Sequence, residues 1–282
     1  MVHQECQCDF EVIVVDDCSS DETPQIIAAR FPQFVLVRQR QTRGWVAAVR
    51  GAVARAQGEI LAFLGAHCSA DEDWVATIEA EMSSGRQVIT GLGRHGEQHL
   101  LHRFEALSVH SDYIGQEEGE VAFVWDDNFA IRLSSLEQAL PDVSRYLSDG
   151  AGAVLLSLAL ERLGIPIHYR PSLQIDHTTH SLGTIIRFWH GEMAENAISI
   201  KLADGSLPFA RLLWLGPLAA AVLAAGRFSH GIQAVLRTRH SLQVSLAEAA
   251  VHCCLLACLM PGYLAGLCRE MALNWDEIRP GL

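Results

Sequence analysis

The pattern of apolar and polar positions changes character along the chain. Phe10–Val15 (FEVIVV) is a short, almost unbroken apolar run that stops at Asp16-Asp17. Such a run predicts a strand buried on both faces of a parallel sheet. Ser19-Ser20-Asp21 then predicts a turn, with Thr23 as cap and Pro24 opening a helix over Pro24–Phe31. Phe34–Val37 and Ile60–Leu64 read as strands on either side of an Ala-rich helix, Gly44–Ala56. A helix over Asp73–Met82 and a strand over Val88–Gly91 follow, with Asp71 and Asp73 as helix caps. After a polar, irregular stretch from Gly93 to Glu120, Val121–Trp125 and Phe129–Arg132 flank a turn at Asp126-Asp127-Asn128. A helix over about Gly150–Leu163 and a strand over Pro166–Tyr169 complete this part. Strands alternating with helices predict a layered α/β domain. Ligands of such domains collect beyond the carboxyl ends of the strands, which points to Asp16, Asp17 and Gly65-Ala66-His67.

The second regime begins near Leu207. Two strongly apolar runs, Leu207–Gly226 and Val244–Cys268, each approach the roughly 20 residues that a bilayer span needs. Arg211 and Pro217 interrupt the first, Glu248 and His252 the second. The link between them carries Arg227, Arg237 and Arg239, which two full spans would place against the positive-inside tendency. Interfacial helices and a soluble helical hairpin are therefore alternatives to spanning. The expected organisation is an α/β domain over 1–205 and an apolar, membrane-associated helical segment over 206–282.

A chain of 282 residues is ample for a substantial core. The formal net charge of −12 leaves no basic field, which argues against nucleic acid as a partner. It also means that a bound diphosphate needs a metal or local cations. Eight cysteines follow no disulfide framework: four lie in the last apolar run, and Cys6-x-Cys8 is too short for a zinc ribbon. Reduced thiols in an intracellular protein are the expectation. The start, MVHQECQCDFEV, has no basic segment followed by an apolar one, so no cleavable signal peptide is expected.

Three blocks, DFEVIVVDDCSSDETPQI, RGWVAAVRGAVARAQGEILAFLGAHCSADEDWV and YLSDGAGAVLLSLALERLGIPIHYRPSLQIDHTTH, occur in this order over roughly residues 8 to 180. They resemble the family-2 glycosyltransferases of GT-A fold. The first is similar to that family's DFEVIVVDDGSSDGT block, the second to its stretch ending in D-x-D, and the third to its acidic general-base motif and closing histidine. The resemblance implies a mixed, mainly parallel sheet flanked by helices, with the family's first strand missing ahead of residue 8. It also implies that Asp17, supported by Asp16, accepts hydrogen bonds from a nucleotide base, with Arg43 near phosphate and Ala66 lining the donor site. Asp149 would be the general base of a single displacement with inversion, drawing the proton from the acceptor hydroxyl.

The chain departs from its relatives where Gly65-Ala66-His67 replaces D-x-D. The expected metal ligands are then His67 and His177, with Mn²⁺ suited better than Mg²⁺ to imidazole. Asp126-Asp127-Asn128 stands where relatives carry a small-residue turn, which places Asp127 and Asn128 on the acceptor side. The resemblance implies sugar transfer from a nucleotide-diphosphate donor to a glycan or lipid-linked acceptor, at the cytoplasmic face of the cell membrane. The alternative is a degenerate, non-catalytic relative that binds a nucleotide or a partner. No G-x-G-x-x-G follows any of the first three expected strands, which disfavours a dinucleotide oxidoreductase.

Overall fold

The computed structural model describes residues 3–95, 117–143, 152–178, 181–191, 194, 217–238 and 246–273. The chain divides into two units, Met1–Gly93 with Glu118–Ile175, and Arg94–Glu117 with Asp176–Leu282.

In the first unit, β1 (Ile13–Asp16) and β2 (Val35–Arg38) pair in parallel around the helix α1 (Thr23–Arg30). Their register sets Asp16 opposite Arg38. Pro24 lies in the first turn of α1 as expected, but the cap position falls on Glu22 without a side-chain bond. Asp21 instead accepts the Thr23 N–H at 3.0 Å. After α2 (Gly44–Val53) come β3 (Ile60–Leu64), β4 (Cys68–Ala70), α3 (Trp74–Ser83) and β5 (Val88–His95). Beyond them lie β6 (Gly119–Val121), β7 (Asn128–Arg132), α4 (Leu133–Val143), α5 (Gly152–Arg162) and β8 (Ile167–His177).

The larger sheet has the order β3-β7-β5-β8-β4, with β6 on β8. β7 is antiparallel to both β3 and β5, so those two run in the same direction on either side of it. The fold is a mixed α/β layer structure. The strand expected over Val121–Trp125 is shorter and earlier, because the Trp125 N–H donates to the Thr90 hydroxyl (2.9 Å) rather than to a ladder.

Trp74, Ile78 and Met82 recur every four residues and so share one face of α3. That face packs on Ile89, Trp125, Ala130, Leu173 and Ile175. Burial of each large side chain contributes about 1.5–3 kcal/mol. Asp73 stands at the cap of α3 but makes no side-chain cap bond, contrary to expectation, while the Asp71 carbonyl accepts the Trp74 N–H. On the other side of the sheet Phe63 and Phe129 stack with centroids 4.3 Å apart, and Trp45 of α2 leans on Phe63. Gly152 at the start of α5 lies against Trp45; a Cβ there would come within 2.8 Å of the indole.

The second unit contains α6 (Leu182–His190), α7 (Pro217–Thr238) and α8 (Leu246–Leu273). Ser181 caps α6 by accepting the Thr184 N–H at 3.2 Å. Ile185, Ala220, Ala224, Leu256, Tyr263 and Leu267 form its core. Gly262 and Gly266 lie four residues apart on α8, where His190 of α6 takes the space their side chains would need. The first expected apolar run begins earlier than α7, in residues 207–216 outside the described ones. Among the described residues, Ala249–Ala272 is long and apolar enough, by length and composition, to cross a membrane.

Candidate active site

Asp16 and Asp17 stand at the carboxyl end of β1, where the strand pattern predicts ligand groups. Asp16 is buried: one carboxylate oxygen accepts the Ser19 N–H at 2.9 Å and the other faces Arg38 Nε at 3.0 Å. The hydrogen bond from Ser19, and then the Arg38 guanidinium, hold its carboxyl below the ordinary 3.8, although burial works in the opposite sense. A depressed folded-state pKa contributes stability above that ordinary value and loses it as the pH falls through the folded value. The stability of the wild type should therefore fall more steeply than that of Asp16→Asn between about pH 5 and pH 3 in denaturant titrations. Equal slopes would contradict the assignment.

Asp17 uses both carboxylate oxygens on the start of α2, accepting the Arg43 and Gly44 N–H groups at 2.8 Å each. A carboxylate placed there satisfies two unpaired helix donors and complements the helix dipole. Its oxygens carry about four acceptor sites in all, so this role leaves capacity for a ligand. Gly44 has φ 76°, a left-handed conformation that glycine adopts without strain. The Arg43 side chain is exposed.

Between these carboxylates and the turn, Cys18 has φ 70°, although it is not glycine. The resembling block carries glycine at this place. A left-handed L-residue costs about 1–2 kcal/mol, so Cys18→Gly should stabilise the protein by about 1 kcal/mol in denaturant titrations. A loss of stability would show that the thiol contributes more than the backbone conformation costs.

The second cluster forms where β3 meets β7. Antiparallel register pairs Leu64 with Asn128, and the Gly65 N–H continues the ladder to the Asp127 carbonyl at 3.1 Å. The absent side chain at Gly65 leaves room for the Asp127 carboxylate; a Cβ would come within 2.7 Å of its Cγ. His67, in the tight turn before β4, places Nε2 3.4 Å from Asp127 Oδ2. The Asp127 carboxylate, and then Cys68, raise the imidazole to about 10. Burial pushes the Cys68 thiol up. Ligand atoms of His67, Cys68 and Asp127 lie within 4.8 Å of one another. Imidazole nitrogen, carboxylate oxygen and thiol sulfur suit a transition metal, and the vacated side-chain space at Gly65 accommodates the carboxylate, so these residues fit a divalent ion.

The structure thus joins His67 to Asp127, a residue that the sequence assigned to the acceptor side. Ala66 is the exposed middle of the same turn. Asn128, expected on the acceptor side, is fully buried: its amide oxygen accepts from Trp74 Nε1 at 2.8 Å and its amide nitrogen donates to the Leu173 carbonyl at 2.8 Å. Gly91 leaves the space for that bond, and Thr90 donates to the Asn128 carbonyl at 3.1 Å. Asn128 therefore fixes the backbone that presents Asp127. His177 ends β8 and is buried. Asp149 lies outside the described residues, three positions before α5 begins.

The family described as Glycosyl transferase family 2 matches residues 2–140. A mouse relative, polypeptide N-acetylgalactosaminyltransferase 6, is 33% identical over 86 residues, which are 28% of this chain and 13% of that protein. The chain thus spans a small part of that relative's length. Among solved structures, a mannosyltransferase from Pyrobaculum calidifontis in complex with GDP-Man and Mn²⁺ is similar with a TM-score of 0.55 and 17% identity. The match covers 95% of this chain and 78% of that one. Residues 1–349 of S. aureus TarS in complex with UDP match with a TM-score of 0.48 and 15% identity, over 98% of this chain and 85% of that one.

Proposed function

We propose that this chain, which matches glycosyl transferase family 2 over residues 2–140 and has a GT-A fold, moves a sugar from a nucleotide-diphosphate donor to an acceptor hydroxyl with inversion. The observation that carries this reading is the arrangement at two strand ends. Asp16 and Asp17 close β1, and a His67–Asp127 pair closes β3, both inside the family match.

In this reading Asp17, fixed by the first amides of α2, offers its remaining acceptor sites to the nucleotide base, and the exposed Arg43 side chain approaches phosphate. Asp149 takes the proton from the acceptor hydroxyl as its oxygen attacks the anomeric carbon opposite the leaving diphosphate. His67 and Asp127 hold a divalent ion, with His177 as the further ligand that the sequence resemblance implies. Bound there, the ion supplies charge neutralisation for the diphosphate. The imidazoles favour Mn²⁺ over Mg²⁺. A glycan or lipid-linked acceptor and a place at the cytoplasmic face of the membrane fit the apolar helix that contains Ala249–Ala272. The absence of an acidic residue in Gly65-Ala66-His67 favours the second reading, a non-catalytic relative that binds nucleotide or a partner.

Calorimetric titration of the full chain with UDP and GDP, each with and without Mn²⁺, tests the donor site. Binding of at least one nucleotide that strengthens with Mn²⁺ is expected. A folded sample that takes neither nucleotide under any condition rejects the proposal.

A further inference from the structure

We propose that the carboxylate missing from the triplet after β3 is supplied by Asp127, making His67, Cys68 and Asp127 a relocated cation site selective for late first-row divalent metals. Its role in catalysis rests on the donor-site reading above; its existence as a cation site does not.

Three observations carry it. First, positions 65 and 127 exclude each other sterically. A Cβ on Gly65 would overlap the Asp127 carboxylate, so only one acidic side chain fits at this junction, and here it stands on the β7 side. Second, the carboxylate is held in place. The Gly65 N–H to Asp127 carbonyl bond ties the turn to β3, and the next residue, Asn128, is locked into the core by Trp74 and Leu173. A ligand so anchored loses little freedom when an ion arrives. Third, the donor set is mixed. His67 Nε2 faces the carboxylate at 3.4 Å, and Cys68 brings a sulfur into the same group.

A site of three carboxylate or carbonyl oxygens would suit Mg²⁺ or Ca²⁺, which prefer hard ligands. Substituting nitrogen and sulfur for two of them shifts affinity toward Co²⁺ and Zn²⁺, following ligand softness and the order of divalent-metal affinities. Binding would displace protons from imidazole and thiol, so the site should release acid as it fills.

The test is titration of the purified full chain with Co²⁺ alone, followed by visible and near-ultraviolet absorption and by proton release in weak buffer. Wild type should show ligand-field bands, and a thiolate-to-cobalt band that Cys68→Ser removes. Asp127→Asn should weaken Co²⁺ by at least about tenfold, the scale on which even outer-sphere partners act. Mg²⁺ should compete poorly. A separate readout needs no metal: Gly65→Asp alone should lower the thermal midpoint, and adding Asp127→Gly in the same chain should restore it. Unchanged Co²⁺ affinity in Asp127→Asn, or a Gly65→Asp variant as stable as wild type, overturns the proposal. If the chain binds UDP or GDP but no Co²⁺, this proposal falls and the donor-site reading stands. If Co²⁺ binds through Asp127 while neither nucleotide binds, the cation site stands and the donor-site reading falls.

Discussion

Asp149→Asn should lower kcat for sugar transfer by a factor of about 10²–10⁴ while leaving nucleotide affinity unchanged. Asparagine preserves the size of the side chain and its capacity to accept a hydrogen bond, but it cannot take a proton from an alcohol. The loss belongs to the transition state alone, so kcat and kcat/KM should fall together. The usual pattern in resembling proteins is Glu-Asp, whereas this chain has Ser148-Asp149, so the adjoining position carries no second carboxylate. Measured with radiolabelled donor, a variant with wild-type turnover would place the base elsewhere. Equal and negligible turnover in both proteins, with nucleotide still bound, would point to the non-catalytic reading instead.

The largest effect on stability should come from Asn128. Replacing it with Ala strands two buried groups at once, the Trp74 indole N–H and the Leu173 carbonyl, both of which it satisfies at 2.8 Å. Each unsatisfied buried group costs about 1–3 kcal/mol, so Asn128→Ala should cost about 3 kcal/mol or more by denaturant titration. Asp is the informative control. It keeps an acceptor for Trp74 but sets a carboxylate against the Leu173 carbonyl, and should be no better tolerated. Because the same residue anchors the backbone that presents Asp127, the Ala variant should also weaken the binding of metal in whatever fraction stays folded. A cost below about 1 kcal/mol would mean that water replaces both bonds.

Elements governed by local pattern were legible from the residues. Ile60–Leu64 is found as a strand with the expected bounds, because a continuous apolar run between Gly58 and Gly65 leaves few alternatives. The helix expected over Asp73–Met82 is likewise found, as Trp74–Ser83. β8 runs on to His177, eight residues past the expected end at Tyr169. Pro171 lies inside the strand, yet Leu173 and Ile175 point into the core while their neighbours do not, and that alternation outweighs a single proline. Caps were misjudged in two ways: Thr23 is already the first residue of its helix, and Asp73 stands at the cap position but makes no side-chain cap bond. The partnership of His67 with Asp127 was not legible. It depends on antiparallel pairing between strands about sixty residues apart, which no local period encodes. Its trace in the sequence is a glycine at 65, where the resembling pattern carries an acid, and an acid at 127, where that pattern carries a small-residue turn.

The two ladders of the first unit are separate: β1 pairs with β2, and the larger sheet begins at β3. Asp16 and Asp17 therefore rest on one framework, Gly65 and Asp127 on another. Each framework is a candidate cooperative opening unit, and the smaller one, with two short strands, has less to hold it shut. Amide hydrogens of Val14, Val15 and Leu36 should exchange faster than those of Ala130 and Ile131. A ligand that touches both strand ends would act as a bridge between them, slowing exchange in the small ladder most.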